Sequence, residues 1–162
     1  MILWQQMENG NWIPNNIKQV WSRGVEAKAK FKIKELSIAG NYAFTKSTNE
    51  LQTNKLDNTV GEQLRYVPLH KGNISFTFTK KNLKFSLNTS YTGEIITTYG
   101  PLKNNTLDGF TLTDIAIKYT LKKLPITLIG KLKNLMDKSY TTYQNYPKPG
   151  RELLLTINYT IN

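Results

Sequence analysis

Residues 25–44 read VEAKAKFKIKELSIAGNYAF, and their apolar members fall on every second position. Val25, Ala27, Ala29, Phe31 and Ile33 are interleaved with Glu26, Lys28, Lys30 and Lys32. After Lys34-Glu35 the alternation resumes as Leu36, Ile38, Gly40, Tyr42 and Phe44 against Ser37, Ala39, Asn41 and Ala43. A period of two belongs to a strand whose faces meet different surroundings. The stretch is therefore predicted to be a hairpin with one apolar face and one polar, lysine-bearing face.

The pattern recurs as Ile74, Phe76 and Phe78, a turn at Lys80-Lys81-Asn82, then Leu83, Phe85, Leu87, Thr89 and Tyr91. It recurs again as Ile115, Ile117, Tyr119 and Leu121, a turn at Lys122-Lys123, then Ile126, Leu128, Gly130 and Leu132. A last strand carries Leu153, Leu155, Ile157, Tyr159 and Ile161 on one face. Seven strands follow from Ile17 onward, and Ile2-Leu3-Trp4-Gln5 reads as the end of an eighth. Short turns near Lys34, Lys80 and Lys122 alternate with longer polar loops over residues 7–16, 48–63, 98–108 and 138–149. A transmembrane barrel has this asymmetry, with tight periplasmic turns and long extracellular loops. The expected fold is all-β, an antiparallel transmembrane barrel wall spanning residues 1–162 as one unit.

Composition is compatible with that reading. The chain is 39% apolar and 20% charged, and no run approaches the ~18 apolar residues of a transmembrane helix. The first residues, MILWQQMENGNW, lack the basic and apolar regions of a signal peptide. There is no cysteine and a single histidine, His70, so thiolate chemistry, metal clusters and histidine-assisted catalysis have little material. No nucleophile elbow, zinc-binding helix motif or phosphate loop is present. The chain is expected to be no enzyme and to carry no cofactor. Its net charge of +11 fits nucleic acid, anionic lipid, an anionic ligand, or charged turns and a charged interior. Charge alone does not choose among them.

Aromatic placement adds a second clue. Phe31, Phe78, Phe85, Tyr119 and Tyr159 lie on apolar faces near a short turn or the C-terminus, as one interfacial girdle would require. Tyr42, Phe44, Tyr91, Phe110 and Tyr140 fall toward the long-loop ends and are expected to form the other girdle. The inward-facing basic residues are expected to be Lys28, Lys30, Lys84, Lys118 and Lys131, with Lys32 and Lys133. Hydrated lining that pairs with neighbouring acids is the favoured role for them, ahead of drawing an anionic substrate inward. Trp12, Tyr99, Tyr143 and Tyr146 are the loop aromatics placed to contact a ligand, a role that competes with anchoring loops at the interface.

Residues 134–161, NLMDKSYTTYQNYPKPGRELLLTINYTI, resemble the closing segment of TonB-dependent outer-membrane receptors. In that family an Asn-Leu-Phe-Asp-Lys-x-Tyr stretch leads through a variable loop to Pro-Gly-Arg and a final alternating strand; Met136 replaces the Phe here. NWIPNNIKQVWSRGVEAKAKF and LRYVPLHKGNISFTF are similar to two earlier regions of the same family, in the family's order. The final Asn162 departs from it, since such barrels commonly end on an aromatic residue. The resemblance implies about the last seven to eight strands of a 22-stranded plugged barrel, with the signal peptide, plug and earlier strands outside this chain. It also implies import of a scarce nutrient, such as a ferric siderophore or cobalamin, across the outer membrane of a Gram-negative bacterium. The implied partners are outer-membrane lipid, the remaining strands and plug, TonB through the missing N-terminal part, and a small-molecule or metal-chelate substrate.

Two other classes compete. A small self-contained outer-membrane barrel with a structural or adhesive role would need its first and last strands to pair with each other. A soluble basic β-barrel binding nucleic acid would turn the alternating loop lengths and the paired aromatic levels into coincidences, so nucleic acid is not an expected partner.

Overall fold

The computed structural model describes residues 2–6, 11–16, 19–52, 59–99 and 105–161. Its strands, in chain order, begin with β1 (Ile2–Gln6), β2 (Trp12–Asn16), β3 (Val20–Ile33), β4 (Leu36–Asn49), β5 (His70–Lys80) and β6 (Leu83–Thr92). They continue with β7 (Ile95–Ile96), β8 (Thr106–Leu107), β9 (Phe110–Thr120), β10 (Ile126–Lys133), β11 (Thr141–Tyr143), β12 (Tyr146–Pro147) and β13 (Glu152–Tyr159). Seven of these form one antiparallel meander in the order β13-β10-β9-β6-β5-β4-β3. The pairs β1-β2, β7-β8 and β11-β12 are separate two-stranded sheets.

The seven strands and the hairpin turns lie where the alternation predicts them. Ile2–Gln6 differs from expectation: it is a strand, but among the described residues it pairs with Trp12–Asn16, inside the stretch expected to be loop, and not with the meander. Lys34 and Lys81 supply the positive φ of the first two short turns, at 48° and 50°. Adjacent turns are tied together, with Thr79 N donating to Glu35 O at 2.9 Å and Asn82 Nδ2 to Thr120 O at 2.7 Å. Gly24 allows the closest backbone approach in the sheet, because a Cβ there would lie 2.1 Å from Phe44 O.

Register converts the sequence alternation into two continuous faces. Phe31, Ile38, Phe76, Leu87, Ile115, Leu132 and Leu153 are successive partners across all seven strands. The row beside it on the other face runs Lys32, Ser37, Thr77, Ser86, Ala116, Lys131 and Leu154. The apolar row is three residues from Lys34, five from Lys81 and seven from Lys122, a drift of one residue per strand. With a rise of ~3.3 Å and a strand spacing of ~4.8 Å this drift tilts the strands by ~35°, as in a barrel wall.

Among the described residues nothing packs over the apolar face: Val25 is 69% exposed, Leu155 79% and Ile157 73%. Among the described residues the buried large apolar side chains are Leu64, Ile95 and Phe110, all at the long-loop end. A water-soluble sheet buries one face against a second layer. This one keeps its core in the loops and leaves a broad apolar face that requires an apolar solvent. Among the described residues, β3 and β13 each pair on one side only, so the sheet is not closed on itself.

Candidate functional site

The described parts of the three later long connections pack on one another. The segment after β4 folds onto the end of that strand: Leu64 N donates to Ser47 O at 2.7 Å and Ser47 N to Gln63 Oε1 at 2.9 Å. Gln63 Nε2 donates in turn to Val67 O at 2.9 Å. Gln63 is thus buried with its amide satisfied at both ends, the condition under which a polar group can be held away from water. Thr48, fully buried beside it, donates to Glu50 Oε1 and accepts from Arg23 Nη1 at 3.2 Å.

Tyr66 joins this segment to the other two loops. Its N–H donates to Ile96 O at 2.8 Å, its φ is +61°, and its ring stacks on Tyr143 at 4.4 Å and 14°. Tyr143 meets Tyr146 edge-on at 5.6 Å. Tyr99 donates its hydroxyl to Gln63 O at 3.0 Å, and the Arg65 guanidinium lies 5.6 Å from the Tyr99 ring. A non-glycine residue at positive φ costs of order 1 kcal/mol or more, which the stack and the backbone bond offset. Burial, and next the neighbouring Tyr143, push the Tyr66 phenol above its ordinary value.

The third loop is held by the residues that carry the family resemblance. Asn134 is buried; its Nδ2 donates to Lys138 O and its Oδ1 accepts from Lys138 N, both at 2.9 Å. Asn134 N donates to Asp114 Oδ1 at 2.9 Å, and Arg151 N to Asp137 Oδ1 at 2.8 Å. A Cβ on Gly150 would lie 2.6 Å from that Asp137 oxygen, so the Pro-Gly-Arg glycine leaves room for the carboxylate. Asn134 and Asp137 themselves take positive φ, of 48° and 53°. The motif is therefore a loop-closing device.

Of the four loop aromatics proposed as ligand contacts, Tyr143 and Tyr146 are brought together, and Tyr99 lies in the adjoining segment. Trp12 lies in β2 opposite Gln6, and its side chain is outside the described residues. Sequence reasoning does not single out Tyr66 as a site residue; its only signal is a place in the LRYVPLHKG stretch. Lys28 pairs with Glu26 at 3.2 Å and Lys133 with Glu152 at 3.4 Å. Lys84 and Lys118 are direct cross-strand partners lining a hollow of about 400 Å³ with Thr79 and Thr120. Lys28 and Lys30 line another of about 380 Å³ with Asn41 and Asn73. Lys131 lies on the same face opposite Leu154.

Phe31, Phe78, Phe85, Tyr119 and Tyr159 all share the apolar face, as do Tyr42, Phe44 and Tyr91. Tyr42 and Tyr91 flank Gly72 in one row, where the absent side chain leaves space for both rings. Phe110 is different. It has the parity of Asp114 and Lys118, is buried, and packs on Tyr140 at 4.7 Å. The expectation that Phe110 belongs to the outer girdle is corrected: it is buried in the loop platform, with the half-buried Tyr140 packed on it. Phe110 begins β9 one residue out of phase with the apolar face, so its phase and not its distance from the turn decides where it points.

An open antiparallel wall with tight turns at one end, packed loops at the other and an uncovered apolar face defines the class as part of a transmembrane β-barrel. The chain belongs to the TonB dependent receptor-like, beta-barrel family, whose sequence model matches residues 1–135. Solved structures with this fold include the ferric-catecholate import receptor Fiu of E. coli K12, at a TM-score of 0.69 and 17% identity over 95% of this chain and 22% of that one. The unliganded ferric citrate transporter FecA aligns at 0.72 with 19% identity over 84% and 23%. The copper transporter OprC aligns at 0.74 with 16% identity over 97% and 25%. The chain spans about a quarter of the length of each of these proteins.

Proposed function

We propose that this chain forms wall and substrate-facing loops of a TonB-dependent receptor in the outer membrane of a Gram-negative bacterium, importing a scarce metal chelate. A plug, TonB and the further strands of the barrel supply the closure and the energy coupling. The observation that carries the reading is the uncovered apolar face, which is continuous over seven strands and ends in a packed loop platform. The polar-face lysines are its hydrated lining. The cargoes in the names of the similar structures are ferric catecholate, ferric citrate and copper. A ferric siderophore is therefore favoured over cobalamin for this chain, with Tyr143 and Tyr146 as contacts. A small self-contained barrel is disfavoured because β3 and β13 do not pair.

Binding of a panel of ferric catecholates, ferric citrate and cyanocobalamin to the protein isolated from outer membranes tests this. One ferric chelate should bind, and Tyr143→Ala with Tyr146→Ala should weaken it about tenfold. Binding of cyanocobalamin alone, or no effect of the tyrosine pair, would overturn the substrate assignment.

A further inference from the structure

The apolar face of the first hairpin is free of charge from Ile33 to Val25 on β3 and from Leu36 to Phe44 on β4. The next residues on that face are Arg23 and Lys46, and they are direct cross-strand partners. Lys46 lies ten residues beyond Leu36, which at ~3.3 Å per residue and ~35° of tilt is about 27 Å. The lipid-facing band of a transmembrane barrel is about 25 Å tall. The two cations therefore sit at the outer edge of the apolar band, where lipid headgroups begin.

Like charges directly opposite one another destabilise a sheet, and among the described residues no carboxylate forms an ion pair with either cation. The ion pairs among the described residues join Lys28 to Glu26 and Lys133 to Glu152, and involve neither Arg23 nor Lys46. Glu50 is linked to Arg23 only through the Thr48 hydroxyl, so its charge offsets the pair in part and leaves a net cationic site. Arg23 is held in place: its guanidinium lies 4.0 Å over the Trp21 ring and Nη1 donates to Thr48 Oγ1 at 3.2 Å. One row below, Phe44 is the partner of His70, whose Nδ1 is 2.7 Å from the Tyr42 hydroxyl. The pair is thus a preset cationic fork above an aromatic shelf.

We propose that Arg23 and Lys46, with His70 beside them, bind the phosphate of an outer-leaflet lipid headgroup whose acyl chains lie along Phe44, Tyr42 and Val25. Arginine matches phosphate geometry bidentately, and a phosphate relieves the repulsion between the two cations. The inference rests on the membrane reading of the apolar face. That reading is tested separately by whether the protein needs detergent to leave the membrane.

The test is native mass spectrometry of the protein extracted in neutral detergent and titrated with dodecyl phosphate, dodecyl maltoside or inorganic phosphate. Dodecyl phosphate should be retained, and Arg23→Gln with Lys46→Gln should weaken its retention about tenfold or more. The same charge removed from the opposite face, as Lys30→Gln with Lys32→Gln, should leave retention unchanged. Should the first double variant lack a heat-modifiable folded form, Lys46→Gln alone is measured, with retention reduced at least threefold. Equal retention in the Arg23/Lys46 and Lys30/Lys32 variants overturns the site. Competition by inorganic phosphate at the concentration of dodecyl phosphate overturns the lipid as its ligand.

Discussion

Arginine at position 155 tests whether the terminal strand separates two solvents. Leu155 is 79% exposed on the apolar face and is opposed by Gly130, over which its side chain lies. Its row continues through Ile117, Phe85 and Phe78, with no carboxylate or hydroxyl to receive a guanidinium. Six residues separate it from Ile161, so it stands ~16 Å up the tilted strand, near the middle of a ~25 Å band. An arginine there costs about 2–4 kcal/mol, or roughly 30- to 1,000-fold in the folding equilibrium. Thr156, one residue on, shares the polar face with Lys118, two strands away. Arg at 156 meets that lysine at ~10 Å through water and costs below about 0.5 kcal/mol. The assay compares heat-modifiable folded barrel, and urea unfolding in lipid vesicles, for Leu155→Arg and Thr156→Arg in the assembled receptor. Leu155→Arg should lose most of its folded form while Thr156→Arg keeps it. Equal losses, or a greater loss for Thr156→Arg, would refute the two-face argument.

Two further predictions concern the loop platform. Asn134→Ala removes both side-chain bonds to Lys138 and should loosen residues 134–151 by about 1–3 kcal/mol, read as faster amide exchange there with strand exchange unchanged; Gly150→Ala should do the same by displacing Asp137. Tyr66 has a raised phenol pKa, so the neutral form favours the folded loop: the stabilisation is complete below pH ~10 and is lost as pH rises through the folded value. Tyrosinate absorbance should show Tyr66 among the last tyrosines to ionise, and Tyr143→Ala should bring its titration down.

The meander was legible because side-chain period and register are locked together. Once Phe31 and Ile38 alternate with lysine and serine, pairing fixes Phe76, Leu87 and the rest of the row without further information. Phe110 shows the same rule unused: counting back by twos from Lys118 through Asp114 assigns it to the polar side. The loop platform was not legible, because Tyr66, Ile96 and Tyr143 are far apart in the chain and meet through irregular backbone. Asn134 and Gly150 stood out through family resemblance, but their role depends on the approach of the Asp114 and Asp137 carboxylates, which only the folded loop brings about. The β1-β2 pairing escaped because Pro14 and the short polar stretch before it read as loop.

The one-residue drift per strand also fixes how wide a bore this wall can enclose. At ~35° of tilt and ~4.8 Å spacing, seven strands curled shut would leave a backbone cylinder of radius ~7 Å, whereas 22 strands give ~21 Å. A ~7 Å cylinder is filled by its own side chains, and here those would be Lys28, Lys30, Lys32, Lys84, Lys118 and Lys131, crowded together with Glu26, Asp114 and Glu152 as their few counter-charges. In the wider cylinder the same lysines are separated by water, and the charge that would burst a narrow tube becomes the wetting of a broad one.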